Sequence, residues 1–335
     1  MSALVKLETG EAMEWFRTMP ATQRLRSLAP DFARADTLRG EGLECRHAGY
    51  REGSKSWLHS VHRRRIAGGP AAGAISPYGY GGPLCNTTDE GFVSRAWTAW
   101  RAGAQAAGMV AELCRFHPGT PHHQFFGGEV QVNRETVSVD LTLAAIDSQF
   151  NTLARRKVRR CADVPVRWSR NAADWARFGT FYRAAMATMG AQERYHFSDD
   201  YFAAMAALDG IELCICGDGG AWLSAGIYLF QQEGGGMLEY HLGASSEAGH
   251  LQGTAYLMQH AAATEGRRRG LGSLYLGGGT TPAGDNPLLF YKRCFSRRMH
   301  PYRIGLAVHD RPVFEETARA QGYDPAAALP DLLFA

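Results

Sequence analysis

The sequence has no Cys-x-x-Cys pair, no long apolar run and little net charge. Its seven cysteines (Cys45, Cys85, Cys114, Cys161, Cys214, Cys216 and Cys294) are scattered and odd in number. That pattern speaks against a disulfide framework or a zinc site and for a reducing compartment. The lack of a long apolar run gives no membrane span, and residues 1–10 carry acids and no signal-peptide core, so the cytoplasm is the expected location. A formal net charge of +3 permits a polyanionic partner without demanding one. Hydrophobic residues make up 45% and charged residues 21%, a globular balance rather than a disordered one. A chain of 335 residues holds one large core or two ordinary ones.

What is present centres on residues 237–295. Met237–Ala244 alternates as a strand, with Glu239 and His241 on one face and Tyr240 and Leu242 on the other. Ser245–Gly253 reads as a loop, and Thr254–Glu265 as a helix with Ala255, Leu257, Met258, Ala261 and Ala262 at near-helical spacing. Leu274–Leu276 is a second strand, and Gly277–Gly279 lets the backbone turn sharply or approach a ligand. A parallel strand–helix–strand unit of this kind leaves free N–H groups at one crevice, a ready anion site. His250-Leu-Gln-Gly253-Thr-Ala255 occupies that turn.

Earlier in the chain, Gly10–Leu28 and Glu90–Ala107 read as helices and Met109–Phe116 as a strand. Residues 75–86 (ISPYGYGGPLCN) are too rich in proline and glycine for a helix, and they hold Tyr78 and Tyr80 on an irregular backbone. His117, His122 and His123 lack an intervening carboxylate, so a solvated loop is expected rather than a metal site. Ile146–Cys161 is an amphipathic helix with five cations in six positions, Arg155, Arg156, Lys157, Arg159 and Arg160. The run is either a solvated face or a phosphate contact. The restart at Pro165 places the domain boundary near Ala162, giving a first domain over 1–162, a second over 163–310, and a C-terminal helix and tail over 311–335 that packs back on the first. Val93–Phe116 and Thr254–Leu276 both read helix, glycine, strand, which favours two copies of one α/β unit.

Several stretches, taken in order, resemble the Fem-like (FemABX) transferases, which are built from two GNAT-type domains. Tyr78-Gly-Tyr80-Gly-Gly-Pro83 is similar to the family's aromatic glycine-proline loop, and Arg115-Phe-His-Pro118 to its strand-end R-x-x-P. Val139-Asp140-Leu141 with Arg155, Arg156 and Arg159, the loop from Met186 to Phe197, and Tyr240-His241-Leu242 resemble further family segments. Gly277-Gly-Gly with Phe290-Tyr-Lys292-x-x-Phe295 resembles its signature ending. The turn at His250–Ala255 resembles the Q/R-x-x-G-x-G/A pyrophosphate loop of GNAT acyltransferases, with histidine in the first place. The resemblance implies an α/β fold with mixed sheets in two tandem GNAT-like domains, the first on the acceptor side and the second on the donor side. It also implies transfer of an acyl group to an amine. Asn86 stands where many peptidoglycan enzymes of the family carry aspartate, which speaks against a cell-wall acceptor.

The chemistry expected is direct aminolysis. An acyl ester or thioester is already activated, so the protein has to position a neutral amine and stabilise the oxyanion. Lys292 is the leading candidate for that charge, with His241 or Tyr240 guiding the amine and Glu239 as a possible base. Tyr78, Tyr80, Arg115, Arg159, Tyr195, Phe290 and Phe295 are candidates for substrate binding, and His250, Gly253, Gly278, Arg293 and Arg297 for donor binding. No cofactor or metal is expected. An aminoacyl-tRNA donor is expected from the basic segments at Arg267–Arg269 and 292–298, because the pyrophosphate loop needed for acetyl-CoA is degenerate. The acceptor is expected to be a small-molecule or peptide amine, and the chain a monomer. The competing readings are an acyl-CoA-dependent N-acyltransferase and a non-catalytic GNAT-like binding module.

Overall fold

The computed structural model describes residues 3–281, 286–329 and 333. The chain divides into two compact units, Met1–Asn133 with Tyr302–Ala335, and Arg134–Pro301. The first begins with β1 (Leu4–Leu7), α1 (Thr9–Arg17) and α2 (Pro30–Asp36). The helix expected over 10–28 ends at Arg17, because Pro20 removes a donor and turns the chain outward. Strands β2 (Leu43–Glu52), β3 (Lys55–Arg65) and β4 (Ala72–Ile75) follow, then the short β5 (Leu84–Cys85), α3 (Glu90–Ala106) and β6 (Met109–Phe116). The strands lie in the order β1-β2-β3-β4-β6, with β5 on β3. The β4 and β6 strands are parallel and joined by α3. Asp89 caps α3 by accepting from the Phe92 amide, and the helix buries Phe92, Trp97, Trp100 and Ala104. Beneath it the buried Glu112 carboxylate accepts from His59 Nε2 (2.7 Å), Trp100 Nε1 (2.8 Å) and His309 Nε2 (3.1 Å). His117 and His122 are wholly buried rather than solvated, since Phe116 folds its ring against His122 and Tyr80 against His117.

The strand β7 (Glu129–Asp140) carries the chain from the first unit into the second. There follow α4 (Thr152–Arg160), β8 (Val166–Ser169), α5 (Ala172–Thr188), α6 (Asp199–Ala207), β9 (Ile211–Gly217) and β10 (Trp222–Gln231). Next come β11 (Met237–Ser245), α7 (Glu247–Gln252), α8 (Thr254–Arg268), β12 (Ser273–Gly278) and α9 (Pro287–Arg293). The strand order is β7-β12-β11-β10-β9-β8. One core gathers Leu257, Met258 and Ala262 of α8 with Leu238, Leu274 and Phe230 of the sheet. Full burial of a leucine or methionine here contributes roughly 2 kcal/mol. Phe150 and Ala154 join the same core. That packing binds the basic helix α4 to the second unit, so the boundary lies in β7 and not near residue 162. Strand β13 (Arg298–Val308) returns the chain to the first unit, where it pairs antiparallel with β6. There α10 (Arg311–Ala320) buries Phe314 and Ala318 against Ile75, Val110 and Leu113. The C-terminal helix thus packs on the first unit. The units repeat one motif: β4–α3–β6 and β11–α8–β12 are each a strand, a helix and a parallel strand.

Candidate functional site

The site of interest in the second unit starts where two parallel strands part. Gly234, Gly235 and Gly236, all at positive φ, turn β10 into β11, and the two strands then pair along nearly their whole length. Against β12, however, β11 pairs only at Met237, Leu238 and Glu239, opposite Ser273, Leu274 and Tyr275. Beyond that level β12 instead follows β7, through a bulge and Gly277 at φ 76. A wedge opens between β11 and β12 at the level of Tyr240.

The alternation holds only as far as Tyr240. Tyr228 pairs with Tyr240 and Ile227 with Leu242, so β11 bulges at His241. A Cβ at Gly243 would meet the Tyr240 side chain, which puts Gly243 and not Leu242 on the face of Tyr240. Tyr240 packs its ring 5.3 Å from that of Tyr228, on the α8 side. His241 and the buried Glu239 take the opposite face, where His241 Nε2 lies 2.7 Å from the Tyr201 hydroxyl. Tyr201 is wholly buried on α6 and held by Phe197 at 4.8 Å, so the imidazole is anchored from below. No local pattern points to Tyr201, which lies forty residues away in a helix with an ordinary apolar pattern.

Past β12, the loop 277–281 is fixed from three directions. Lys292 Nζ donates to the Gly278 carbonyl at 2.7 Å, and an Arg134 N–H to the Gly279 carbonyl at 2.8 Å. Asn286 donates to the Thr280 and Thr281 hydroxyls while its Oδ1 caps α9 at Leu288 and Leu289. The Asn286-Pro287 pair is an ordinary helix-start signal. Lys292 is 7% exposed. Its amine is pushed down to about 7 by burial and, second, by the charge of Arg134. Phe295 is fully buried against Phe150, Tyr256 and Tyr291, so it shores up the lysine helix from within rather than contacting a substrate. Phe290 is 60% exposed on the outer face.

The expected anion loop is largely a helix. Ser246 caps α7 by accepting from the Gly249 amide, and the amides of His250 and Gly253 bond back to Ser246 and Gly249. Gly253 adopts φ 86, and any Cβ there would meet the Lys157 side chain at 2.6 Å. His250 points to solvent. The His250 and Gly253 amides of that turn are therefore already engaged.

The basic segments sort into paired and unpaired. Arg268 and Arg269 bond to Glu265, Arg269 also to Glu212, Arg293 to Glu135 and Arg298 to Asp140. Arg156, Arg159 and Arg160 of α4 are exposed and make no ion pair among the described residues. Arg297 is exposed as well, and Tyr195 is half-buried with Arg194 over its ring. In the first unit, Arg115 donates to the Ser76 and Pro77 carbonyls at 2.9 Å, pinning the loop that carries Tyr78 and Tyr80. Its position is structural there. The Tyr78 amide donates to the buried Asp36, and Tyr80 packs on His117 and Tyr302.

No family model and no curated protein matches the sequence. Solved structures do. FemX is similar with a TM-score of 0.69, 13% identity, and coverage of 93% of this chain and 99% of that one. The L-PGS structure from Bacillus licheniformis aligns with a TM-score of 0.60 and 10% identity over 94% and 97% of the two chains. A tandem GNAT protein from the clavulanic acid biosynthesis pathway gives 0.55 and 11% over 92% and 99%. The chain has the tandem GNAT-type fold. In each GNAT-type unit the parallel pair around its helix is the repeated element. The second unit alone leaves that pair open next to a buried lysine, while the first fills its pair with the loop from Ser76, whose amide bonds to Leu113.

Proposed function

We propose that this protein is an acyltransferase that forms an amide by direct aminolysis, drawing an amino acid from aminoacyl-tRNA. The observation that carries the reading is the wedge of the second unit. It combines an anchored histidine, a buried lysine of near-neutral pKa on a glycine loop, and an anion turn closed by α7. A coenzyme A donor needs that turn open, whereas an ester carried on RNA does not. The unpaired arginines of α4 supply phosphate contacts for such a donor. The fold of FemX and of a lysylphosphatidylglycerol synthetase domain is compatible with this class of transfer.

The acceptor is an amine on a small molecule or peptide. A coenzyme A-dependent N-acyltransferase remains the competing reading, because a tandem GNAT protein whose structure is described as lacking AcCoA shares the fold. The test is loss of labelled amino acid from freshly charged tRNA in the presence of an amine pool. Protein-dependent transfer that is unaffected by acetyl-CoA supports the reading. Transfer from acetyl-CoA alone overturns it.

A further inference from the structure

We infer that the peptide N–H groups of Gly279 and Thr280 receive the oxyanion of this transfer, and that Lys292 and Arg134 act on it from behind through the peptide carbonyls. The inference deepens the acyl-transfer reading and rests on it. Lys292 Nζ is engaged with the Gly278 carbonyl and Arg134 with the Gly279 carbonyl. No cis peptide occurs among the described residues. In a trans peptide the N–H points opposite to the C=O of the same unit. The Gly279 N–H therefore points away from Lys292, and the Thr280 N–H away from Arg134. The two cations share one neighbourhood, since they bond to successive carbonyls and the Arg134 side chain lies 3.5 Å from a Cβ placed at Gly278. Two successive carbonyls are thus drawn to one side and two successive N–H groups turned to the other, which is the make-up of an anion nest. Neither N–H makes a hydrogen bond among the described residues.

The loop is built for this backbone. A Cβ at Gly279 would lie 2.6 Å from the Asn286 side chain, and one at Gly278 would lie 2.7 Å from the Glu135 carbonyl. β11 and β12 part after the Glu239–Tyr275 pair, and the loop that follows β12 at Gly278 leads on from the β12 side of that wedge. A cation on a carbonyl polarises that peptide and strengthens its N–H as a donor. This is how a lysine that is 7% exposed serves the reaction without touching the substrate. In the step itself the amine nitrogen attacks the ester carbonyl carbon and a C–N bond forms. The carbonyl π pair moves onto oxygen, facing the two N–H groups. Collapse restores the C=O, the bond to the ribose oxygen breaks, and the proton lost by the amine ends on that oxygen.

The test uses the full chain labelled with 15N at glycine and threonine, titrated with methylphosphonate as a tetrahedral anion. Saturable downfield shifts are expected at the Gly279 and Thr280 amides. They should be at least tenfold weaker in Lys292→Met, whose remaining spectrum overlays the parent and so reports an intact fold. A chain carrying the α-hydroxy acid analogue of threonine at 280 lacks one N–H, and its turnover should fall about 10²-fold. Static Gly279 and Thr280 amides, or anion shifts confined to the start of α8, would overturn the inference. Loss of the acyl-transfer reading is distinguishable, because absence of transfer from any donor leaves the amide shifts in place.

Discussion

Replacing Lys292 with methionine should make the protein more stable and less active. The lysine amine lies at 7% exposure and its pKa drops from 10.5 to about 7. At about 1.4 kcal/mol per unit, that shift is a cost of roughly 4 to 5 kcal/mol wherever the lysine is protonated in both states. The unfolded lysine binds its proton up to pH 10.5, the folded one only up to about 7. Between those values the unfolded state holds more protons, so stability rises with pH. From pH 7 to pH 9 the rise is about 2 kcal/mol. Methionine fills similar volume, removes the titration and forfeits the bond to the Gly278 carbonyl, worth about 1 kcal/mol. The net gain at pH 7 is about 3 kcal/mol, shrinking to about 1 at pH 9. Urea unfolding of both proteins at the two pH values measures it, and the difference between them cancels every other titrating group. Parallel pH dependences in parent and variant would refute the reasoning.

Three further outcomes are expected. His47, His62 and His122 of the first unit are lowered by burial to about 4, 3 and 3, so they are neutral when folded and protonate below 6.5 when unfolded. Stability is then lost as pH falls below 6.5, by about 2 kcal/mol per histidine at pH 5, and hydrogen exchange should show the first unit opening before the second. Tyr201→Phe releases the anchor on His241 at a stability cost of about 1 kcal/mol, and turnover should fall about tenfold with a shifted pH profile; an unchanged profile would remove Tyr201 from any role in the reaction. Gly278→Ala forces the Glu135 carbonyl aside and should destabilise by about 1 to 3 kcal/mol, with turnover falling further than unfolding explains.

The strand–helix–strand unit of residues 237–278 was legible because its alternation and helical spacing follow directly from burial on one face. The placement of Tyr240 opposite Glu239 follows from that alternation too, whereas the bulge at His241 that turns Leu242 away from Tyr240 carries no local signal. Other features carry no local signal. Residues 247–252 resemble a loop in sequence, and α7 shows only once the Ser246 cap closes on Gly249. The unit boundary passes through β7 without a break in its pattern, while the restart at Pro165 is only the entry to β8. The burial of His117 and His122 depends on aromatic rings brought in by the fold. The arginines of 267–269 looked like a free basic surface because their partner Glu212 lies far off in sequence. The directions of the Gly278 and Gly279 carbonyls follow from Lys292 and Arg134, two cations far apart in the chain.

The most direct measurement is a gel-shift titration of the purified protein with freshly charged total tRNA, with coenzyme A and acetyl-CoA as competitors. Salt-sensitive retention of one charged tRNA, unmoved by either competitor and weakened in an Arg156→Glu, Arg159→Glu, Arg160→Glu variant, is the predicted result. Absence of tRNA binding together with saturable coenzyme A binding would contradict it. That result would mean that α7 opens to admit a pyrophosphate and that α4 is a solvated face.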